Sequence, residues 1–326
     1  MTRGPFLFVQ MKTSLLPNAS KPALLATLVA GALGIAPSAK AAFLVAESNT
    51  GKAELYNATG THLSTFASGL STPIGVAEGG GSVFISSYGN HMINKYTPGG
   101  TSQGVVISNA AGHGPTGLAY INGRIHGAAY NIGYLTSSAP DAGAEDGNSG
   151  TPSTYLYYSP GTTVHGLASA APNGFTDIVY YTATVGGNGE VGFWQPGLAA
   201  GTVINLGTVD LRGVVAAGSS TLYVANFSAN KVVKVNFNGT SWVSSDFITG
   251  INAPVGVAID GGNLYVSSYS DKTITGYSLG DASQVSQFTT LSNPQYFAIT
   301  SIPEPTSCGL LAASALLVIR RRRRQA

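Results

Sequence analysis

The sequence predicts an all-β ring of short four-stranded sheets, a β-propeller of six blades, on three observations. Forty-three glycines and 16 tyrosines stand beside only 9% charged residues in 326 positions, the composition of many strands joined by tight turns. One apolar phrase recurs about every 42 residues, most clearly from Leu222 (LYVANFSANKVVKV) and from Leu264 (LYVSSYSDKTITGY). A second phrase, ideally Pro-x-Gly-Val-Ala, recurs in step with it. A period near 42 residues that holds four short strands is the repeat of propeller blades.

The first phrase has six copies, opening at Phe43, Val83, Ile125, Ile178, Leu222 and Leu264. Each begins with β-branched and aromatic residues, meets a polar turn and resumes as an alternating strand. The second phrase falls at residues 73–77, 115–119, 164–168, 211–215, 254–258 and, degraded, 294–298. Its glycine lets backbones approach closely, as the innermost strand around an axis requires. The phase matters, because the chain enters on a second strand at Phe43 and leaves on a first strand at Phe297. The last inner strand is therefore expected to complete the first blade and remove its free edge. The spacing of the inner-strand glycines widens from 42 residues (Gly75 to Gly117) to 49 (Gly117 to Gly166) and 47 (Gly166 to Gly213). The excess in the third blade falls at residues 137–153, rich in Gly, Ser, Asp and Pro, which predicts a surface loop. Its Asp141, Glu145 and Asp146 lack the regular ligand alternation of a calcium loop.

These two phrases resemble NHL-type repeats, and also the related propellers of gluconolactonase-type lactonases and streptogramin lyases. The resemblance covers nearly all of residues 43–300, and its motifs are mostly structural, so it implies fold more than chemistry. A lactonase-like member would use carboxylates, asparagines and a divalent metal around the axis. A lyase-like member would need histidine and glutamate converging on the same mouth.

The two ends read as addresses. From Met11 the order is basic residues Lys12 and Lys21, an apolar run over residues 23–35, then Ala39-Lys40-Ala41. This is the order of a secretory signal, with signal peptidase expected to cut after Ala41. The other end reads Pro303-Glu304-Pro305, an uncharged apolar stretch over residues 306–319, then Arg320, Arg321, Arg322, Arg323 and Arg324. Prolines hold the segment extended, the apolar stretch enters a membrane and the arginines keep its end on the cytoplasmic side. Fourteen residues is short for a permanent span. The last 24 residues resemble the PEP-CTERM sorting signal of Gram-negative bacteria that make extracellular polysaccharide, which implies recognition by an exosortase and transient anchoring before release to the cell surface or beyond. The expected organisation is residues 1–41 for the signal region, 42–302 for the propeller and 303–326 for the sorting tail.

The formal charge of +2 comes from those ends. Between Ala42 and Pro303 seven basic residues face 13 acidic ones, so no cluster of Lys and Arg is present to neutralise nucleic-acid phosphates. The single cysteine, Cys308, lies in the tail, and the body can form no disulfide.

Ligand-binding chemistry is expected on the inner strands and the turns beside them. His113 lies two residues before Pro115, His165 directly precedes Gly166, and Arg212 holds the matching position one blade later. With His91, Asn131 and Asn226 they form the candidate axial pocket; Glu47, Asn49, Tyr88, Asn90, Tyr130 and Tyr269 are further candidates. The sequence names no cofactor. For a divalent metal, His113 and His165 are the first candidate ligands, short of the three or more that a site needs. No nucleophile motif is present. Tyr88, Tyr130, Phe227 and Tyr269 either stack on sugar rings or pack between blades. Asn57-Ala-Thr and Asn238-Gly-Thr match glycosylation acceptors but read as turns. The expected function is binding or scaffolding at the cell surface, with exopolysaccharide or surface proteins as partners. A lactonase- or lyase-like enzyme is the alternative.

Overall fold

A computed structural model describes residues 42–108, 114–130, 134–138, 153–157, 162–170, 178–195 and 200–300. The signal segment with Ala39 and Ala41, the tail with Pro303, Glu304, Pro305 and the five arginines, His113 and Asn131 lie outside these residues, as does most of the 137–153 loop. Among the described residues no helix is long and apolar enough to cross a membrane.

The described strands form six four-stranded antiparallel sheets. The first contains β1 (Ala42–Glu47), β2 (Lys52–Asn57) and β3 (His62–Ala67). The second contains β4 (Pro73–Gly79), β5 (Ser82–Ser87), β6 (Met92–Tyr96) and β7 (Ser102–Ser108). The third contains β8 (Pro115–Ile121), β9 (Arg124–Ala129), β10 (Tyr134–Ser138) and β11 (Ser153–Tyr157). The fourth contains β12 (Thr163–Ala170), β13 (Ile178–Val185), β14 (Asn188–Trp194) and β15 (Gly201–Asn205). The fifth contains β16 (Leu211–Ala216), β17 (Thr221–Asn226), β18 (Lys231–Phe237) and β19 (Trp242–Thr249). The sixth contains β20 (Pro254–Asp260), β21 (Asn263–Ser268), β22 (Thr273–Ser278) and β23 (Gln284–Thr289). The last strand, β24 (Pro294–Thr300), pairs antiparallel with β1, with Ala42 opposite Thr300 and Val45 opposite Phe297. The first sheet therefore has the order β24-β1-β2-β3.

Turn chemistry sets three of the hairpins, the inner ones of the second and third sheets and the one that joins β13 to β14 in the fourth. Gly80-Gly81, Asn122-Gly123 and Gly186-Gly187 are two-residue turns with positive φ at both positions, the geometry whose twist suits adjoining strands and which Gly and Asn adopt at least cost. All six Pro-x-Gly-type phrases lie on strands at the inner end of their sheets, β4, β8, β12, β16, β20 and β24. Their glycines are required by close approach. A Cβ on Gly75, Gly117, Gly166, Gly213 or Gly256 would collide with the carbonyl oxygen of Thr116, His165, Arg212, Val255 or Gln295 on the next sheet's inner strand. In β24 the glycine's place is taken by Tyr296.

A buried hydroxyl latches alternate sheets. Ser86 accepts from the Gly75 N–H (2.6 Å) and donates to the Thr116 carbonyl of the next sheet (3.0 Å). Thr182 does the same between Gly166 and Arg212, and Ser267 between Gly256 (2.7 Å) and Gln295 (2.7 Å). At the equivalent positions of the first, third and fifth sheets stand Ala46, Ala128 and Ala225; in the third sheet the buried Thr116 hydroxyl on the inner strand reaches across instead, to the carbonyls of Val164 (3.0 Å) and His165 (3.1 Å). Ser267→Ala should lower stability by about 1–3 kcal/mol, because the Gly256 N–H and the Gln295 carbonyl lose their partner inside the fold. Chemical denaturation of both proteins measures it, and an unchanged midpoint would show that the latch contributes nothing.

Apolar side chains fill the contacts between sheets. Phe43 packs against Tyr265, Phe288 and Phe297 at ring-centroid distances of 5.0, 5.1 and 6.0 Å, joining the sixth sheet to the first. Two of the sequence candidates for ligand chemistry belong to this seam. Glu47 is fully buried and accepts a hydrogen bond from the Tyr56 hydroxyl (2.7 Å), which in turn accepts from the Leu291 N–H (2.8 Å). Asn49 donates to Asn293 (2.8 Å). Both hold chain segments 235 or more residues apart in sequence. The two glycosylation-like asparagines cap their own turns: Asn57 accepts from the N–H groups of Thr59 and Thr61, and Asn238 from those of Thr240 and Ser241.

Candidate functional site

The turn between the second and third strands of each sheet lies on the same face as the start of the inner strand. On four sheets the first residue of that turn is aromatic: Tyr88, Tyr130, Phe227 and Tyr269, each half-buried. Each backbone N–H donates to a carbonyl of the segment just before that sheet's inner strand, those of Thr72, Gly114, Asp210 and Ala253. The rings are thereby fixed around one mouth. Tyr88 lies flat over Gly114 of the next sheet, where any Cβ would strike its ring, and meets Tyr130 edge-on at 5.8 Å. Tyr130 meets the His165 ring at 5.3 Å, and the Arg212 guanidinium lies 4.8 Å above the Phe227 ring. Packing between sheets is thus part of what these aromatics do, as the sequence allowed.

His165 and Arg212, adjacent in the repeat pattern, are brought into direct contact. Arg212 Nη1 lies 3.3 Å from His165 Nδ1. A guanidinium can only donate, so Nδ1 is the acceptor and the imidazole carries its proton on Nε2. That N–H lies 3.2 Å from Thr163 Oγ1 and 3.6 Å from Asp210 Oδ1. Burial, and secondarily the Arg212 charge, push the His165 pKa down to about 3, which keeps the ring neutral. Arg212 in turn donates to Asp210 Oδ2 from Nη2 (2.6 Å) and Nε (3.1 Å). The Asp210 backbone N–H donates to Ser228 Oγ (2.9 Å).

These groups open onto a depression of about 400 Å³ lined by Tyr130, Thr163, His165, Thr184, Asp210 and Arg212, with Thr208 and Ser228 on its rim. Of the six residues expected in an axial pocket, His165 and Arg212 line it. Asn226 does not: it is buried and its Oδ1 accepts from the Ala229 N–H (3.0 Å) and the Ser228 hydroxyl (3.3 Å), capping its own turn. It faces a second, smaller cavity beside the Lys231–Asp246 ion pair instead. His91 follows the short turn Tyr88–Asn90 with φ 62° and is not among the lining residues. His113 and Asn131 lie outside the described residues. Among the described residues no three His, Cys, Asp or Glu side chains converge as a metal site would require.

Asp210 was legible only by aligning the repeats one step further upstream, where it holds the place of Thr72, Gly114 and Ala253. Tyr296 was legible as the break in the Pro-x-Gly pattern. Its hydroxyl is buried without a partner among the described residues, and burial raises its pKa, with the Arg212 charge lowering it and the Asp210 charge raising it to smaller extents.

No protein-family model matches the chain, and no curated protein matches it. Among solved structures the chain is similar to one in the crystal structure of a nidogen/laminin complex, with 17% identity and a TM-score of 0.65, covering 79% of this chain and 98% of that one. It also aligns with the computationally designed Ika8 protein at 13% identity and a TM-score of 0.46, over 77% of this chain and 73% of that one. At 17% identity the first likeness speaks for architecture alone, and with the sheet topology it identifies the body of this chain as an all-β β-propeller.

Proposed function

We propose that the protein is an exported, exosortase-processed six-bladed propeller, closed by β24, that acts by binding at the cell surface or in the extracellular polysaccharide matrix. One observation carries the binding reading: a depression on one face, walled by a fixed tyrosine and by the interlocked His165, Arg212 and Asp210 side chains, whose polar groups are held in one geometry before any ligand arrives. Preorganised polar groups in a concave site favour recognition. The fold likeness supports the same reading, since the nidogen/laminin structure is that of a complex between proteins. Pro303, Glu304, Pro305 and Arg320 to Arg324 support the sorting route, with Ala39 and Ala41 marking the signal peptidase site. The lactonase- or lyase-like alternative requires a metal and several converging ligands; His165 brings only one, and it is engaged by Arg212.

Expression in an exosortase-bearing Gram-negative host tests this reading. The released protein should have a mass that starts near Ala42 and ends near the Pro-Glu-Pro segment, and should co-sediment with the host's purified exopolysaccharide. Retention of the five arginines on released protein would defeat the sorting reading. Loss of co-sedimentation together with chelator-sensitive lactone hydrolysis would replace binding with catalysis.

A further inference from the structure

We propose that removal of the signal segment finishes the ring: the α-ammonium freed on Ala42 pairs with the buried carboxylate of Glu78 and locks the β24–β1 closure against the second sheet. This rests on the cleavage after Ala41 in the reading above, and is independent of what the propeller binds.

The repeat shows where the Glu78 side chain lies. Counted from the Pro-x-Gly phrase, Glu78 in the second sheet holds the place of Tyr120 in the third. Tyr120 runs along the inner hairpin of the neighbouring second sheet, since a Cβ on Gly79 would strike its ring and one on Gly80 its hydroxyl. Glu78 is directed in the same way at the first sheet, whose inner strand β24 packs against β4. There the place of the Gly79–Ser82 pair is taken by Thr300 and Ala42. No turn joins that pair, because the chain enters the ring at one of its members and leaves at the other.

Glu78 has already found one of the two. It accepts from the Thr300 hydroxyl. Its Oε1 is buried and has no hydrogen-bond partner, and no ion pair includes it, among the described residues. Burial raises its pKa, the direction expected of a carboxylate short of a counter-charge. Ala42 is fully buried on the face it shares with Val76 of β4 and Ala298 of β24. As the cross-strand neighbour of Thr300 it lies about 4.5–5.5 Å away, Cα to Cα, so its nitrogen stands one strand spacing from the group that Glu78 touches.

Before cleavage that nitrogen is an amide and carries no charge. Hydrolysis of the Ala41–Ala42 bond takes up one water, whose oxygen goes to the new carboxylate of Ala41, and leaves an amine on Ala42. With a pKa of about 8 such an amine is protonated at neutral pH. A buried ammonium and a buried carboxylate are each costly alone, and each is the partner that the other lacks.

The test uses the protein as its host releases it, in a two-by-two comparison. One change inserts Gly-Ser between Ala41 and Ala42 of the precursor, so that the released amine is displaced by two residues; the other is Glu78→Gln. Intact mass fixes the first residue of each released protein. The insertion should lower the melting temperature by about 4 °C or more in the parent, as expected for losing one partly buried ion pair in a chain of this size, and by that much less beside Glu78→Gln. Crowding by the added residues is common to both backgrounds and cancels. Reductive methylation at pH 7 gives a second readout that needs no substitution of Glu78: the Ala42 amine should react about tenfold more slowly than the displaced amine, the reduction in neutral amine for a pKa raised by one unit. Equal insertion penalties in the two backgrounds, or equally fast methylation of the two amines, would overturn the pairing. A parent protein released with a first residue other than Ala42 would overturn the proposal through its cleavage site, and leaves the binding reading to the co-sedimentation experiment.

Discussion

A chain ending at Pro294 should aggregate or melt far below one ending at Ser301. The difference between them is essentially β24, whose Phe297 is buried against Phe43, Val45 and Tyr56. Every residue of β1 is buried, and four of its six positions are opposed by a residue that this truncation removes, Phe297 to Thr300. Removing β24 leaves β1 with a row of unpaired backbone groups inside the ring, and Ser267 without the Gln295 carbonyl that it latches. It also exposes apolar surface on the sixth sheet, because β20 packs against β24 and Gly256 sits against the backbone of Gln295 and Tyr296. Each large side chain stripped from the core costs roughly 1.5–3 kcal/mol, and a domain's whole stability is about 5–15 kcal/mol. An unpaired inner edge adds the hazard of edge-to-edge association. Thermal melts and size-exclusion profiles of the two truncations measure the effect, and equal melting temperatures would rule out the closure.

The same strand shows what the sequence made legible. The pairing of β24 with β1 followed from counting phrases: an inner strand was missing at Phe43 and one was left over at Pro294. That argument needs no side-chain detail, because a unit whose strands pair through their backbones leaves a free edge if one of its strands is missing. The inner-strand glycines were equally readable, since only a residue without Cβ tolerates the carbonyl of the next sheet so close.

The site was less legible because its residues serve different sheets. His165 and Arg212 stand at the same repeat position 47 residues apart, and alignment of the repeats brought them together. Asp210 and Thr163 lie outside the phrase, in segments whose sequence varies freely while their backbone supplies carbonyls to the aromatic turns. Asn226 and Glu47 were misplaced for the opposite reason. They hold equivalent repeat positions beside the mouth, but each polar side chain finds a near partner first: Asn226 its own turn, Glu47 the Tyr56 hydroxyl on the adjoining strand. Position in the repeat identifies which residues are near the axis; it does not say which way a polar side chain turns once a local partner is available.

Acid should destabilise the protein through its two buried histidines as the pH falls from 6.5 towards 4. His165 and His126 are 2% and 4% exposed, and burial lowers their pKa values to about 3 and about 4, with Arg212 and Arg124 adding to the effect. In the unfolded chain both titrate near the ordinary value of 6.5. Between pH 6.5 and 4 the unfolded state therefore binds more protons, and stability falls as pH falls. Each depressed histidine contributes up to about 1.4 kcal/mol per pH unit over that window, a combined loss of roughly 6 kcal/mol by pH 4, enough to consume much of a typical fold's stability. Two groups act in the other direction. Burial raises the pKa values of Glu47 and Glu78, so their protonation favours the folded state as the pH descends to about 4.5, and below that their contribution is complete. The loss should accordingly be shallow at first and steepest below pH 4.5. Replacing the buried imidazole beside Trp194 with an apolar ring, His126→Phe, should flatten the profile by about half, since it leaves His165 as the remaining buried base. Urea midpoints at pH 7, 5.5 and 4 for the two proteins measure this, and parallel profiles would show that His126 is solvated or protonated in the fold.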